Sequence, residues 1–140
     1  MRLAAAVPVK DFSRAKRRLR SRFDDASVER ILRALVADVL EALSDSERVE
    51  RIFVLTDDGA VADAARANGA DVILRVPDPG LNEAIDAAAS ECAAAGYDAL
   101  LVSLGDLPLL RGRDVDEVVA AGERAPVVIV PAADGGTALL

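Results

Sequence analysis

The sequence contains no histidine and no tryptophan, and its single cysteine is Cys92. Without histidine, a Ser-His-Asp triad, a histidine general base and a histidine-ligated zinc ion are all excluded. A lone cysteine excludes an internal disulfide framework and a cluster of thiolate metal ligands. The alanine-rich helical pattern around Cys92 favours a small buried residue there. Catalysis by this chain therefore has to use carboxylates, lysine, arginine or backbone amides, together with a hard metal ion.

Long apolar runs are missing as well, because no stretch approaches the roughly 20 residues of a membrane-spanning helix. We therefore expect a cytoplasmic protein that has no membrane partner. The formal net charge of −7 argues against nucleic acid as a partner. A length of 140 residues with 52% hydrophobic residues fits a single domain, residues 1–140, with a substantial core.

Two common nucleotide-binding motifs do not occur. There is no Gly-x-x-x-x-Gly-Lys-Ser/Thr, which excludes a P-loop NTPase, and no Gly-x-Gly-x-x-Gly follows the first apolar stretch. A receiver-like signalling module is also disfavoured. Such a module needs an acidic pair after its first strand and a lysine after a late one, where this chain has Lys10 and Pro131.

Apolar stretches of strand length alternate with helical patterns along the chain. The predicted strands are Leu3–Val9, Arg51–Thr56, Val72–Leu74, the run that begins at Ala99, and Val127–Val130, which precedes a glycine-rich loop from Pro131 to Thr137. The predicted helices are a basic one after the first strand, Val28–Leu43 capped by Asp25 or Ser27, Ala60–Ala67, Leu81–Ala95 and Asp114–Glu123. This alternation predicts an α/β fold, doubly wound, with a mostly parallel sheet and helices on both faces.

Basic residues concentrate between Lys10 and Arg22, although the chain as a whole is acidic. Such a cluster favours a site for a small polyanion. The alternative is a solvated helix face whose arginines point outward. In that alternative the core-facing residues, at helical spacing, are Phe12, Ala15, Leu19 and Phe23.

Asp106 gives the strongest indication of chemistry. It ends an apolar run and is flanked by Leu104 and Leu107, at a buried edge where a carboxylate is costly unless it is hydrogen-bonded or holds a metal. In a doubly wound sheet, ligands bind beyond the carboxyl ends of the strands, which all converge on one rim. A rim with Lys10, glycine loops and Asp106 suits a magnesium–nucleoside triphosphate, because lysine meets phosphate charge and an aspartate holds Mg²⁺.

Five short motifs occur in a fixed order: Val7–Lys10, Ala15–Leu19, Asp78–Asn82, Asp106–Leu110 and Asp134–Thr137. Through them the chain resembles, over its whole length, the 2-phospho-L-lactate guanylyltransferase family. The bacterial members of that family are phosphoenolpyruvate guanylyltransferases of coenzyme F(420) biosynthesis. The resemblance implies a fold like that of nucleotide-diphospho-sugar transferases and the use of GTP with Mg²⁺. It further implies transfer of GMP to 2-phospho-L-lactate, phosphoenolpyruvate or 3-phosphoglycerate, with release of pyrophosphate.

The same resemblance implies roles for individual residues. Asp106 and Lys10 are the catalytic residues, and Asp106 is the Mg²⁺ ligand. The GTP-binding residues are Lys10, Lys16 and Arg18 at the triphosphate and Pro79, Gly80 and Asn82 at the guanine. The acceptor-binding residues are Gly135, Gly136 and Thr137. A plain turn at Pro79–Gly80, a helix cap at Asn82 and a Gly-Gly turn are the structural alternatives.

Family members continue through a further portion of sheet after the counterpart of Leu140, so the resemblance implies a chain that is incomplete at its C-terminus. Two functional alternatives stay open. One is a related nucleotidyltransferase with another acceptor, similar to the molybdenum-cofactor guanylyltransferases, and the other is an inactive nucleotide-binding remnant. Without that further portion of sheet, Val127–Val130 would form an exposed edge strand, which invites pairing into a homodimer.

Overall fold

A computed structural model describes residues 1–9, 17–74 and 80–140. The strands are β1 (Leu3–Pro8), β2 (Val49–Thr56), β3 (Asp71–Leu74), β4 (Ala99–Val102), β5 (Val130–Pro131) and β6 (Thr137–Leu139). The helices are α1 (Asp25–Ser44), α2 (Gly59–Ala67), α3 (Leu81–Ala94) and α4 (Gly112–Gly122), and residues 17–20 are also helical. No helix in these described ranges is both long and apolar enough to cross a membrane.

The first four strands form one parallel sheet in the order β3-β2-β1-β4. β1 is central and pairs with β2 on one side and with β4 on the other. The chain adds strands in one direction from β1 to β3 and then returns to place β4 beside β1. This confirms the predicted doubly wound sheet, whose winding direction changes between β1 and β4.

Helices cover both faces of this sheet, as the sequence predicts. Leu3, Ala5 and Val7 of β1 belong to the larger core cluster, which also contains residues of α1, α2 and α4. The alternate residues Ala4 and Ala6 face the other way and pack in two smaller clusters with residues of α3. Alternation along a strand explains this division, because successive side chains point to opposite faces.

The last strands differ from the sequence prediction. Within the predicted strand Val127–Val130 only Val130 is in a strand, and Thr137, predicted as loop, begins β6. β5 and β6 form an antiparallel hairpin, and β6 also runs antiparallel to the end of β4. The Val102 amide donates to the Leu140 carbonyl (2.6 Å) and the Leu140 amide to the Val102 carbonyl (2.9 Å). Apolar character alone does not reveal this pairing, since its partners are distant in sequence.

The N-terminal cap of α1 is Asp24, and neither Asp25 nor Ser27 serves as predicted. The Asp24 side chain accepts a 2.7 Å hydrogen bond from the Ser27 amide. That bond stabilises the ionised carboxylate, so the pKa of Asp24 lies below its ordinary value of 3.8. Because the folded-state pKa is the lower one, the cap contributes at pH values above the unfolded pKa and is lost as pH falls through the folded pKa.

The start of α4 abuts the end of α1. A Cβ atom on the buried Gly112 would lie 2.7 Å from the backbone carbonyl carbon of Asp45 and 2.8 Å from its oxygen. A backbone group cannot move aside as the end of a long side chain can. Glycine at this position therefore sets how closely the two helices approach.

We expect Gly112→Ala to lower the free energy of unfolding by about 1–3 kcal/mol, which is typical of an overpacked contact. Gly122→Ala, at the other end of α4, is the matched control because a Cβ there meets no atom within 4 Å. Urea unfolding of both variants and the wild type measures the difference. Equal stability of the two variants would contradict the proposed close contact with Asp45.

Candidate functional site

The carboxyl ends of β1 and β4 lie side by side where the winding direction of the sheet changes. The Val9 amide donates to the Leu55 carbonyl (2.9 Å), which holds the last residue before Lys10 against β2. On the other side, the amide of the fully buried Ser103 donates to the Ala6 carbonyl (2.9 Å). The carboxyl ends of both strands, β1 and β4, are thus fixed by backbone hydrogen bonds. Lys10 itself lies outside the described residues.

Gly105 brings the loop after β4 against the end of β1. A Cβ atom on Gly105 would lie 3.2 Å from Cγ2 of Val9 and 3.7 Å from Cγ1 of Val7. Asp106 follows this contact directly, so its backbone is held within one residue of the end of β1. The structure therefore brings the Asp106 loop to the residue that precedes Lys10.

The expectation that Asp106 lies at a buried edge is wrong, because its side chain is exposed. After Gly105 the chain leaves the sheet and turns through Leu107–Leu110, with the Leu110 amide donating to the Leu107 carbonyl (3.1 Å). Leu107 and Leu110, not Asp106, pack against the core. An exposed carboxylate at this rim is accessible to a ligand.

The first residues of β6 reach the same rim. The Leu104 amide donates to the Ala138 carbonyl (3.3 Å), which places the strand that begins at Thr137 beside the loop of Asp106. The Thr137 side chain is exposed. One of the predicted acceptor-binding residues therefore lies in the strand beside the loop that contains the predicted metal ligand.

The two glycines before Thr137 form a hydrogen-bonded turn. Gly135 has a φ of 89° and donates its amide to the Ala132 carbonyl (3.1 Å), while the Gly136 amide donates to Oδ1 of Asp134 (2.9 Å). Only glycine adopts such a positive φ at little cost. Both amides thus already donate hydrogen bonds within the hairpin. These bonds would have to break before either amide could donate to an acceptor substrate.

The aspartates that follow β2 have different surroundings. Asp58 caps α2 and accepts from the amides of Ala60 (2.9 Å) and Val61 (3.2 Å). Its own amide donates to Oγ1 of the buried Thr56 (3.1 Å). Asp57 is exposed at the same rim. Asp58 therefore has a structural role, and Asp57 offers a carboxylate of the same exposed type as Asp106.

The start of α3 contains two of the predicted guanine-binding residues. Gly80 is the N-cap and the exposed Asn82 is in the first turn, whereas Pro79 lies outside the described residues. The Glu83 side chain folds back over Gly80, with Oε2 2.5 Å from where a Cβ of residue 80 would be. Sequence reasoning missed Glu83, although an acidic residue three positions after an N-cap is a known capping pattern.

The basic segment is only partly described, since Lys16, Phe12 and Ala15 lie outside the described residues. Arg18 is exposed, and its carbonyl accepts from Oγ of Ser21 (2.8 Å). In the alternative of a solvated helix face, Phe23 faces the core; it is 47% exposed, so that part of the alternative is wrong. The polyanion site at this segment stays a prediction.

Comparison with known protein families gives one match that spans nearly the whole chain. Residues 3–140 match the family described as "Guanylyl transferase CofC like". A 2-phospho-L-lactate guanylyltransferase of Methanothermobacter thermautotrophicus is 33% identical over 98% of this chain and 60% of its own length. A phosphoenolpyruvate guanylyltransferase of Roseiflexus sp. (strain RS-1) is 42% identical over 100% of this chain and 62% of its own length. The chain thus spans less than two thirds of these relatives.

A solved structure supports the fold assignment. A putative nucleotide-diphospho-sugar transferase from Desulfovibrio desulfuricans G20 superposes with a TM-score of 0.80 at 20% sequence identity. The superposition covers 99% of this chain and 62% of that one. The predicted fold, similar to nucleotide-diphospho-sugar transferases, is therefore confirmed.

We expect Gly105→Ala to lower the free energy of unfolding by about 1 kcal/mol, because the added methyl group pushes against Val9. The control is Gly59→Ala, where a Cβ meets no atom within 4 Å. A double-mutant cycle with Val9→Ala, measured by urea unfolding, tests the cause, since two residues in contact should show non-additive effects. Additive losses would mean that the two residues do not press on each other.

Proposed function

Because this chain belongs to the family of CofC-like guanylyl transferases, we propose that it transfers GMP from GTP to a small phosphorylated carboxylate and releases pyrophosphate. The observation that carries the proposal is the meeting of three segments at the β1–β4 rim. They are the end of β1 before Lys10, the Asp106 loop held by Gly105, and the start of β6 at Thr137. Triphosphate, metal and acceptor would then lie side by side.

In the proposed reaction, a phosphate oxygen of the acceptor forms a bond to the α-phosphorus of GTP. The bond from that phosphorus to the oxygen that bridges to pyrophosphate breaks, and the bonding electrons leave with pyrophosphate. An ionised acceptor phosphate needs no general base, so the absence of histidine is no obstacle. The chain contributes positioning and charge neutralisation, with Lys10, Lys16 and Arg18 at the triphosphate.

The carboxylate at the rim fits a magnesium ion. Within the described part of the chain, no three His, Cys, Asp or Glu side chains come together as a metal-binding group. Mg²⁺ does not need such a group, because it is usually held by one or two carboxylates with substrate phosphates and water. Asp106 is the carboxylate we assign to it. Bound there, Mg²⁺ would neutralise charge on the phosphates.

The acceptor is proposed as a class, since the two relatives above are named for different acceptors, 2-phospho-L-lactate and phosphoenolpyruvate. Both compounds carry a carboxylate and a phosphate on three carbons, and 3-phosphoglycerate shares this pattern. The Thr137 hydroxyl is the exposed donor at the acceptor side of the rim. The proposed biological setting is coenzyme F(420) biosynthesis in the cytoplasm, where GTP is available.

The first test concerns the base. With Mg²⁺ present, we expect GTP to bind about tenfold more tightly than ATP, because a hydrogen-bonding site leaves polar groups unpaired with the wrong base. Asn82→Ala should bring the ratio of the GTP affinity to the ATP affinity towards one. A general loss of binding would lower both affinities and leave this ratio unchanged, so the ratio serves as the control. Calorimetric titration measures both affinities. Equal affinities of the wild-type chain for GTP and ATP would contradict the guanine assignment.

The second test concerns the metal. Asp106→Asn removes the charge that Mg²⁺ selects and keeps the shape, so the gain in GTP affinity on adding Mg²⁺ should fall by about tenfold or more. Asp57→Asn is the matched control, an exposed carboxylate at the same rim. Titration with GTP in Mg²⁺ and in EDTA measures the gain. A similar effect of both substitutions, or of neither, would remove the metal role from Asp106.

A further inference from the structure

Ser103 is a polar residue in the core, directly after β4. It is 0% exposed and lies three positions before Asp106. The other buried polar residues of the described chain, Ser46 and Thr56, each hold a neighbouring segment through a side-chain hydrogen bond. Because a buried hydroxyl is costly unless it is hydrogen-bonded, the partner of Ser103 shows which segment this residue holds.

The Ser103 hydroxyl acts on the peptide group that leads to Asp106. Its Oγ donates to the Leu104 carbonyl (3.1 Å), which belongs to the peptide group that joins Leu104 to Gly105. Rotation of this peptide group would break the bond and take away the partner of a hydroxyl that water does not reach. The bond therefore favours one orientation of the peptide group at the point where the chain leaves the sheet.

Backbone hydrogen bonds hold the same two residues from both sides. The Ser103 amide donates to the Ala6 carbonyl of β1 (2.9 Å), and the Leu104 amide donates to the Ala138 carbonyl of β6 (3.3 Å). Both of these bonds use amide groups. Within the described residues, the hydrogen bond that holds the Leu104 carbonyl is the one from the Ser103 hydroxyl. The side chain of Ser103 thus completes what the strand pairing leaves unfixed before Gly105.

We propose that Ser103 is a positioning residue for Asp106. Its hydroxyl holds the Leu104–Gly105 peptide group in the orientation from which the exposed Asp106 carboxylate meets the metal ion. Because Ser103 is fully buried, it acts through the backbone and not by contact with a ligand. This inference rests on the metal role of Asp106 proposed above, so one of the two tests below uses no metal and no nucleotide.

Three variants serve both tests. Ser103→Ala removes the hydroxyl, and Ser103→Cys puts a weaker donor of similar size in its place. Ser46→Ala is the matched control, because the buried Ser46 donates to Oδ1 of Asp116 (2.6 Å) and precedes β2, at the end of the sheet away from the rim. Loss of a buried hydrogen bond should lower the melting temperature of both alanine variants by about 2–6 °C. A general loss of stability therefore cannot explain an effect that only the Ser103 variants show.

Nuclear magnetic resonance measures the orientation and order of the peptide group directly, since the Gly105 N–H belongs to it. In Ser103→Ala we expect the order parameter of this N–H to fall from about 0.85 to below about 0.6, and its residual dipolar coupling to change. Ser103→Cys should lie in between, and Ser46→Ala should match the wild type. If both quantities are unchanged in Ser103→Ala, the proposal is wrong.

The consequence for the metal is measured by titration with GTP in Mg²⁺ and in EDTA. Ser103→Ala should reduce the gain in GTP affinity on adding Mg²⁺ by about tenfold and leave the affinity in EDTA unchanged, because only the metal ligand is misplaced. Ser103→Cys should recover part of the gain, and Ser46→Ala should keep all of it. A full gain in Ser103→Ala would overturn the proposal. Absence of any gain in the wild type would contradict the metal role of Asp106 instead, and the resonance measurement would still decide whether Ser103 positions this loop.

Discussion

The burial of β1 on both faces and along both edges is the constraint on which the rest of the structure depends. Each residue from Leu3 to Val9 is buried, and the strand pairs with β2 and β4 at the same time. Its alanines at positions 4 and 6 let α3 pack closely, since α3 itself presents Ala84, Ala88 and Cys92 to that face. A strand held in this way fixes the position of Val9, the residue that precedes Lys10 in the sequence.

The parallel sheet could be predicted from the sequence because its elements have local patterns. Apolar runs of strand length and amphipathic helix spacing are visible without knowledge of partners. The β5–β6 hairpin was missed for the opposite reason. Whether Thr137 is loop or strand depends on pairing with Pro131 and on the neighbouring end of β4, and neither partner is visible locally.

Less of the candidate site could be predicted. The order of strand-end residues predicts that Asp106 and Lys10 share a rim, and of this pair the structure describes only Asp106, whose neighbour Gly105 approaches Val9. The exposure of Asp106 was not predictable, because it depends on how the chain leaves β4 after Gly105. The capping role of Asp58 and the fold of Glu83 over Gly80 likewise depend on side-chain orientation, which residue type alone does not determine.

The candidate site adjoins an open apolar groove between α4 and the β5–β6 hairpin, and the two share the Leu107–Leu110 turn. The apolar residues of this turn line the groove, and Asp106 directly precedes it. Gly105 anchors one side of Asp106 against Val9, while the other side leads into Leu109, which is largely exposed. Since charge stabilisation of a transferred phosphoryl group depends on groups that are already in place, the close approach of Gly105 to Val9 is a contact that positions the proposed metal ligand.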